Sequence, residues 1–251
     1  MLHQFSRTEL AIGPEGLNVM KGSTVAVLGI GGVGAIAAEA LARTGVGRII
    51  LIDKDVVDIT NVNRQIHALT TTVGQPKAEL MQQRIKLINP ECDAIALRMF
   101  YTEETYEQLF DYKPDYVLDA SDTISYKIHL IKECLARKIP MISSMGAANK
   151  MDPTKFQVAD ISKTTMDPIA RVVRTKLRKE GIKKGVKVVF STEEPKKPRE
   201  DVTQRIVPEN APEIRKAQQP PASNAFVPPV AGLIMVSVCV KDLLEQAGIE
   251  I

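Results

Sequence analysis

Directly after the apolar run at residues 25–28 the sequence reads Gly29-Ile30-Gly31-Gly32-Val33-Gly34, and a helical stretch follows. Glycines at this spacing let a backbone turn tightly and come close to phosphate oxygens. The helix opening behind them offers unpaired N–H groups and the positive end of its dipole. Asp53 closes the next apolar run, 24 residues after Gly29, where a carboxylate can accept from ribose hydroxyls. A glycine motif alone is weak, because helix–sheet packing can demand the same residues. Strand, turn, helix and acid in this order predict nucleotide binding.

To this point an NAD(P) dehydrogenase is served equally well. The runs Asn61-Val62-Asn63-Arg64-Gln65 and Gly74-Gln75-Pro76-Lys77-Ala78 tip the choice. A dehydrogenase binds a pyrophosphate and a nicotinamide and does not require cations crowded on the phosphates. An adenylating enzyme must neutralise a triphosphate whose pyrophosphate departs. Arg64 and Lys77 suit that task, stabilising charge on the α-phosphate and the leaving group. Asp122, just beyond the apolar run at residues 116–119, would hold Mg²⁺ at the carboxyl edge of a sheet.

The elements that would position these residues alternate. Short apolar runs at 25–28, 48–52, 116–119 and 139–143 fit buried parallel strands. Between them, Ala78, Met81, Ile85 and Ile88 fall on one helical face closed by Asn89-Pro90, and Ile128, Ile131 and Leu135 form a second stripe. The pattern predicts an α/β fold with a doubly wound, mostly parallel, Rossmann-like sheet. We expect a single domain over 1–251, with a nucleotide-binding core at 1–150. Beyond it, strands at 156–160 and 186–190 flank a basic helix at 168–179. The segment 195–229 holds eight of the 15 prolines and reads as an extended loop, and a closing helix spans about 231–246.

Composition excludes more than it assigns. Cys92, Cys134 and Cys239 are odd in number and far apart, so neither a disulfide framework nor a zinc cluster is indicated, and a reducing cytoplasm fits. The amino-terminal 22 residues lack a signal-peptide pattern, and the apolar run at 225–240 is expected to be too short and too broken by Pro228, Pro229 and Gly232 to span a membrane. Net charge is +3, yet residues 163–199 carry 12 Lys and Arg against 4 Asp and Glu. A basic segment on a mildly acidic body suits a polyanionic partner, and a solvated helix face gives the same pattern.

The glycine turn, Asp53, the Asn-x-Asn-Arg-Gln run, Lys77 and Asp119-Ala120-Ser121-Asp122 together resemble the superfamily of ubiquitin-activating and molybdopterin- or thiamine-pathway adenylating enzymes. That resemblance implies that Gly29, Gly31, Gly32 and Gly34 approach the phosphates of ATP and that Asp53 holds the ribose. It places Asn61 and Gln65 beside them, with Arg64 and Lys77 balancing the triphosphate and Asp122 on Mg²⁺. The superfamily's amino-terminal arginine corresponds to Arg7, which implies a homodimer in which it reaches the partner's ATP.

Most of that superfamily passes an activated carboxyl to sulfur, and many members hold zinc in two CxxC pairs, which this sequence lacks. Cys134 and Cys239 read as core residues. Without a thiol, an intramolecular nucleophile on the substrate would serve, because tethering replaces capture. The runs Ser143-Ser144-Met145-Gly146-Ala147, residues 157–164, residues 189–195 and residues 226–232 resemble the tRNA threonylcarbamoyladenosine dehydratases over nearly the whole chain. This resemblance implies adenylation of the threonyl carboxylate of N6-threonylcarbamoyladenosine in tRNA, then closure of the ureido group on the activated carbonyl with loss of AMP. It gives the basic segment a role, with Arg171, Arg174, Arg178, Lys179, Lys183 and Lys184 on tRNA phosphates. It also implies a structural monovalent cation (Na⁺ or K⁺), for which the sequence offers no ligands. The alternative is a sulfur-carrier-protein adenylyltransferase. Sulfur-transfer partners are not identifiable from the residues.

Overall fold

The computed structural model describes residues 2–202 and 221–250. Its centre is a seven-stranded sheet in the order β3-β2-β1-β4-β5-β7-β6. The strands are β1 (Thr24–Leu28), β2 (Arg48–Ile52), β3 (Asp93–Leu97), β4 (Tyr116–Asp119), β5 (Met141–Ser144), β6 (Phe156–Asp160) and β7 (Lys187–Ser191). All neighbours pair parallel except β6, which runs antiparallel to β7 at the edge. The expected doubly wound α/β architecture is therefore present, and one sheet joins the two parts of the chain.

Side chains alternate across the sheet as the period of two requires. Val25, Val27, Ile49 and Leu51 enter one apolar cluster with Met81, Ile85, Met235 and Leu244. Ala26, Leu28, Ile50 and Ile52 enter the other with Leu130, Ile131, Val173 and Leu177. The helices on these faces are α1 (Ser6–Gly22, bent at Gly13-Pro14), α2 (Gly34–Thr44), α3 (Lys77–Ile88), α4 (Glu107–Phe110), α5 (Ile124–Arg137), α6 (Pro168–Lys179) and α7 (Val227–Gln246).

Several boundaries differ from the sequence reading. The fifth strand starts at Met141 rather than 139, because Lys138 takes a left-handed conformation that ends α5 and Ile139 and Pro140 carry the chain into the sheet. The strand expected at 186–190 is Lys187–Ser191, and β3 and α1 were not anticipated at all. The buried stripe of α5 is Lys127, Leu130, Ile131 and Cys134, with Leu135 outside it. On α6 the buried residues are Ala170, Val173 and Leu177, whereas Val172 faces solvent.

The closing helix begins at Val227, four residues before its expected start, and so takes the end of the supposed 195–229 loop. Pro228 and Pro229 sit in its first turn, where a missing N–H costs nothing. Residues 203–220 of that loop lie outside the described residues. The expectation that the apolar run was too broken is also corrected: α7 is long and apolar enough to cross a membrane by length and composition. Here Ala231, Met235, Val236, Cys239 and Leu244 instead belong to the core against α2. A side chain at Gly232 would lie 2.3 Å from the Val33 carbonyl, so this glycine sets the approach of α7 to α2.

Candidate active site

Strand order reverses around β1: the chain leaves to β2 and β3 on one side and returns to β4 on the other. At such a switch point the loops diverge and open a crevice beyond the carboxyl ends. Leu28 is level with Ile52 and with Asp119, so Gly29, Asp53 and Ala120 leave the sheet side by side.

The glycines of the turn divide their work. Gly29 has φ +88°, and a side chain there would sit 2.9 Å from the Ala120 backbone; at Gly34 it would sit 1.8 Å from the Gly29 carbonyl. Both are demanded by the turn and its packing on β4. At Gly31 a side chain would meet nothing closer than Gln65 Nε2 at 4.0 Å, leaving this backbone open to a ligand. Gly32 is pressed between Pro228 and Arg64.

Asp53 ties the turn together: Ile30 N–H donates to its Oδ2 at 2.7 Å and Asp55 N–H to its Oδ1 at 2.8 Å. Burial raises its pKa, opposed by those amides and by Lys77. Lys77 opens α3, is only 7% exposed, and puts Nζ 3.5 Å from Asp55 Oδ2. Lys54 donates to Asp55 Oδ1 at 2.7 Å. Burial pushes the Asp55 carboxyl up, but Lys54 and Lys77 outweigh it and hold it below the usual range.

Arg64 is half-buried and donates through one nitrogen to the Thr60 carbonyl (2.8 Å) and to Asn63 Oδ1 (3.0 Å). Burial depresses its pKa. Asn61 is buried and caps its own turn, its Oδ1 accepting from Asp58 N–H at 3.2 Å, so it shapes the loop that carries Arg64. Gln65 Oε1 and both His67 ring nitrogens are buried and lack hydrogen-bond partners among the described residues. Asp122 is exposed just past β4, and Arg7 is exposed on the first turn of α1.

Beneath this rim lies a network that sequence reasoning missed. Lys127 Nζ is 3.0 Å from Asp119 Oδ2, and both side chains are almost wholly buried. Ser143 donates to Asp119 Oδ2 at 2.6 Å and Ser121 to Oδ1 at 2.7 Å. The group fixes the loop leading to Asp122. The available signal was a lysine placed inside the apolar stripe of α5.

His67 gives the site a pH dependence. Burial, then Lys77 and Arg84, lower its pKa from 6.5 to about 4. Below pH 6.5 the unfolded chain takes up a proton that the folded chain refuses. Stability should therefore fall as pH drops from 6.5 towards 4, by about 3 kcal/mol at most. Urea midpoints measured across this window should show that slope, and His67→Gln should flatten it.

In the basic segment Arg171, Arg178, Lys179, Lys183 and Lys184 are exposed. Arg174 is not equivalent: it is half-buried and donates to the carbonyl and hydroxyl of Thr164, bracing the start of α6. Asp167 caps α6, accepting from Ala170 N–H at 3.0 Å, and forms a buried 3.0 Å ion pair with Lys150.

All three cysteines are buried. Burial pushes the thiols of Cys92 and Cys134 up to about 11 and about 12, and that of Cys239 well above its usual value. A thiol without access or thiolate character is a poor nucleophile.

The glycine turn, Asp53, Arg64 and Lys77 thus gather at one sheet edge, at the switch point of the strand order. The model of the ThiF family matches residues 5–249. The chain belongs to the ThiF family. Within it, this ThiF-family chain is 72% identical to the tRNA threonylcarbamoyladenosine dehydratase of Bacillus subtilis (strain 168), over 100% of this chain and 98% of the relative. Its fold matches the E. coli tRNA N6-threonylcarbamoyladenosine dehydratase TcdA, solved in complex with ATP and with AMP. That match has a TM-score of 0.85 at 37% identity and covers 98% of this chain and 95% of that one. The molybdopterin-synthase adenylyltransferase of Escherichia coli (strain K12) is 34% identical over only 55% of this ThiF-family chain and 54% of the relative.

Proposed function

We propose that the chain is an ATP-dependent tRNA threonylcarbamoyladenosine dehydratase, acting as a single adenylating domain. The observation that carries this reading is the pairing of an adenylating cradle with three cysteines that are all buried and held as thiols. An activated carboxyl formed here has no sulfur on this chain to receive it. A substrate that supplies its own nucleophile needs none.

In this reading one carboxylate oxygen of the threonyl group attacks the α-phosphorus of ATP, and the bond to the pyrophosphate oxygen breaks. Arg64, Lys77 and Arg7 of the partner subunit in a homodimer take up the charge that gathers on the α-phosphate and pyrophosphate. The open backbone at Gly31 meets the phosphates, Asp53 accepts from the ribose, and Gln65 brings its side-chain amide nitrogen near Gly31. The ureido group then closes on the acyl carbon, the acyl–oxygen bond breaks, and AMP leaves with that oxygen. The nucleoside has lost one water in total.

The donor set suits Mg²⁺: the exposed Asp122 at the carboxyl edge would supply one carboxylate, with phosphates and waters as the other ligands. When bound, Mg²⁺ lowers the charge on the departing pyrophosphate. A monovalent cation belongs to this reading through the family alone. Arg171, Arg178, Lys179, Lys183 and Lys184 present exposed charge for tRNA phosphates, and Arg174 shapes their helix from within. The setting we infer is cytoplasmic.

The test is mass spectrometry of nucleosides from tRNA incubated with the protein and ATP. The threonylcarbamoyl nucleoside should lose the mass of one water, and only when ATP is present. A variant with all three cysteines changed to Ser should retain turnover if it folds. Turnover lost in a folded triple variant would favour the sulfur-carrier adenylyltransferase.

A further inference from the structure

Asn149 and Asn63 reach the short segment at residues 222–224 from two sides, and Asn224 ties that segment down from within. Asn149 has a left-handed backbone (φ 62°), and its N–H donates to the Ala222 carbonyl at 2.8 Å. Its Oδ1 accepts from Ala222 N–H at 2.7 Å, and its carbonyl accepts from Lys196 N–H at 2.7 Å. One residue therefore grips the chain both at Lys196 and at Ala222. Asn224 donates to the Lys150 carbonyl at 2.9 Å, while its Oδ1 accepts from Val227 N–H at 2.8 Å at the start of α7. Lys150 is itself anchored by the buried pair with Asp167.

The third asparagine turns this clasp towards the cradle. Asn63 Nδ2 donates to the Ser223 carbonyl at 3.1 Å, and its Oδ1 accepts from Arg64 at 3.0 Å. A single exposed amide thus spans from the clasped segment to the guanidinium that faces the triphosphate. Arg64 has few other restraints: the same nitrogen reaches Thr60 O, and its stem rests near Gly32. A long side chain that must meet a phosphate needs its rotamers fixed beforehand, since a misplacement of about 1 Å costs up to 10²-fold in rate.

We propose that residues 222–224, clasped by Asn149, form a strut that positions Arg64 through Asn63, making Asn149 and Asn63 positioning residues for adenylation. This rests on the ATP-dependent reading above. The strut joins the loop after β5 and the capped start of α6, which precede the exposed basic residues, to the residue that meets ATP.

The experiment measures ATP affinity by calorimetry, ATP–pyrophosphate exchange with threonylcarbamoylated tRNA, and hydrogen exchange at the Ala222 amide. Asn149→Gly keeps the left-handed backbone and removes the amide. It should weaken ATP binding and slow exchange, each about tenfold, and deprotect Ala222. Asn149→Asp retains the acceptor and should stay within about twofold of wild type. Asn63→Ala should match Asn149→Gly in ATP affinity and exchange, and adding Asn149→Gly to it should do no further harm, because both changes interrupt one path. Losses that multiply towards a hundredfold, or single variants with unchanged ATP affinity, would overturn the strut. If Asn149→Gly fails to fold, Asn63→Ala decides alone, by its effect on ATP affinity at an unchanged melting temperature. Wild-type protein that binds ATP but never exchanges pyrophosphate would sink the tRNA reading instead, leaving the strut legible in affinity.

Discussion

Lys77→Ala is expected to reduce pyrophosphate exchange by about 10²–10³-fold, the usual cost of deleting one preorganised charge at a reacting centre. The nearly buried position of Lys77 makes the effect large, because a cation shielded from water acts through a lower effective dielectric. The same burial fixes its ammonium beside Asp55, on the loop that follows Asp53. The fold should survive the change: Lys54 still neutralises Asp55 at 2.7 Å, and alanine is a good residue for the first turn of α3. Exchange assays with threonylcarbamoylated tRNA, run alongside thermal melts, separate the two effects. Near-wild-type exchange in a folded Lys77→Ala protein would remove this lysine from the triphosphate. Arg64→Ala should behave alike, with a loss that shrinks more as salt is raised, because Arg64 is less enclosed and more open to screening.

Lys127→Met is expected to produce the largest loss of stability, about 3–5 kcal/mol, since it leaves the wholly buried Asp119 carboxylate without its cation. For a chain of this size that is a fall in melting temperature of about 6–20 °C. Methionine has a similar length and creates little void, so the cost would be electrostatic rather than one of packing. Changing Asp119 to Asn in the same protein should recover part of the loss, because a neutral amide can accept from Ser121 through its oxygen and donate through Nδ2 to the Ser143 hydroxyl oxygen. Thermal melts of the single and double variants test this, and a single variant that melts like wild type would contradict it. Asp119 also holds the Ser121 amide at 3.1 Å, so the single variant should loosen the approach to Asp122 as well.

What could be read from the sequence was what local chemistry dictates. Strands β1, β2 and β4 are β-branched or apolar runs that end at glycine or acid, and both the period and the punctuation are visible in the letters. The glycine turn, Asp53, Arg64 and Lys77 follow them in order and do come together at one sheet edge. The strand β3, Asp-Ala-Ile-Ala-Leu, was invisible because alanines in place of β-branched residues leave no period to see, and its pairing with β2 supplies what propensity does not. Helix α1 was hidden by Gly13-Pro14, which punctuate a sequence as a loop would. The start of α7 was misplaced for a related reason: prolines read as breakers also suit a first turn.

The roles inside the site were less legible. Gly29 and Gly34 look like phosphate-binding residues and are required by backbone packing, while Gly31 alone keeps an open face. That distinction depends on β4, which is remote in sequence. Arg174 looked like one of several equivalent surface cations, and its bonds to Thr164 exist only once α6 is capped by Asp167. Lys127 stood out as a lysine within the apolar stripe of α5, and Asn63 as part of the run that carries Arg64, yet neither position named its partner. Buried ion pairs and amide bridges are made by tertiary contact, and no local pattern announces them.

The proposed reaction begins with a carboxylate attacking the α-phosphorus of ATP. The most direct measurement uses tRNA whose threonyl carboxylate is labelled with ¹⁸O and follows where the label goes. AMP should be released with one ¹⁸O in its phosphate for each nucleoside cyclised. Label appearing in inorganic phosphate, or cyclisation accompanied by unlabelled AMP, would contradict it.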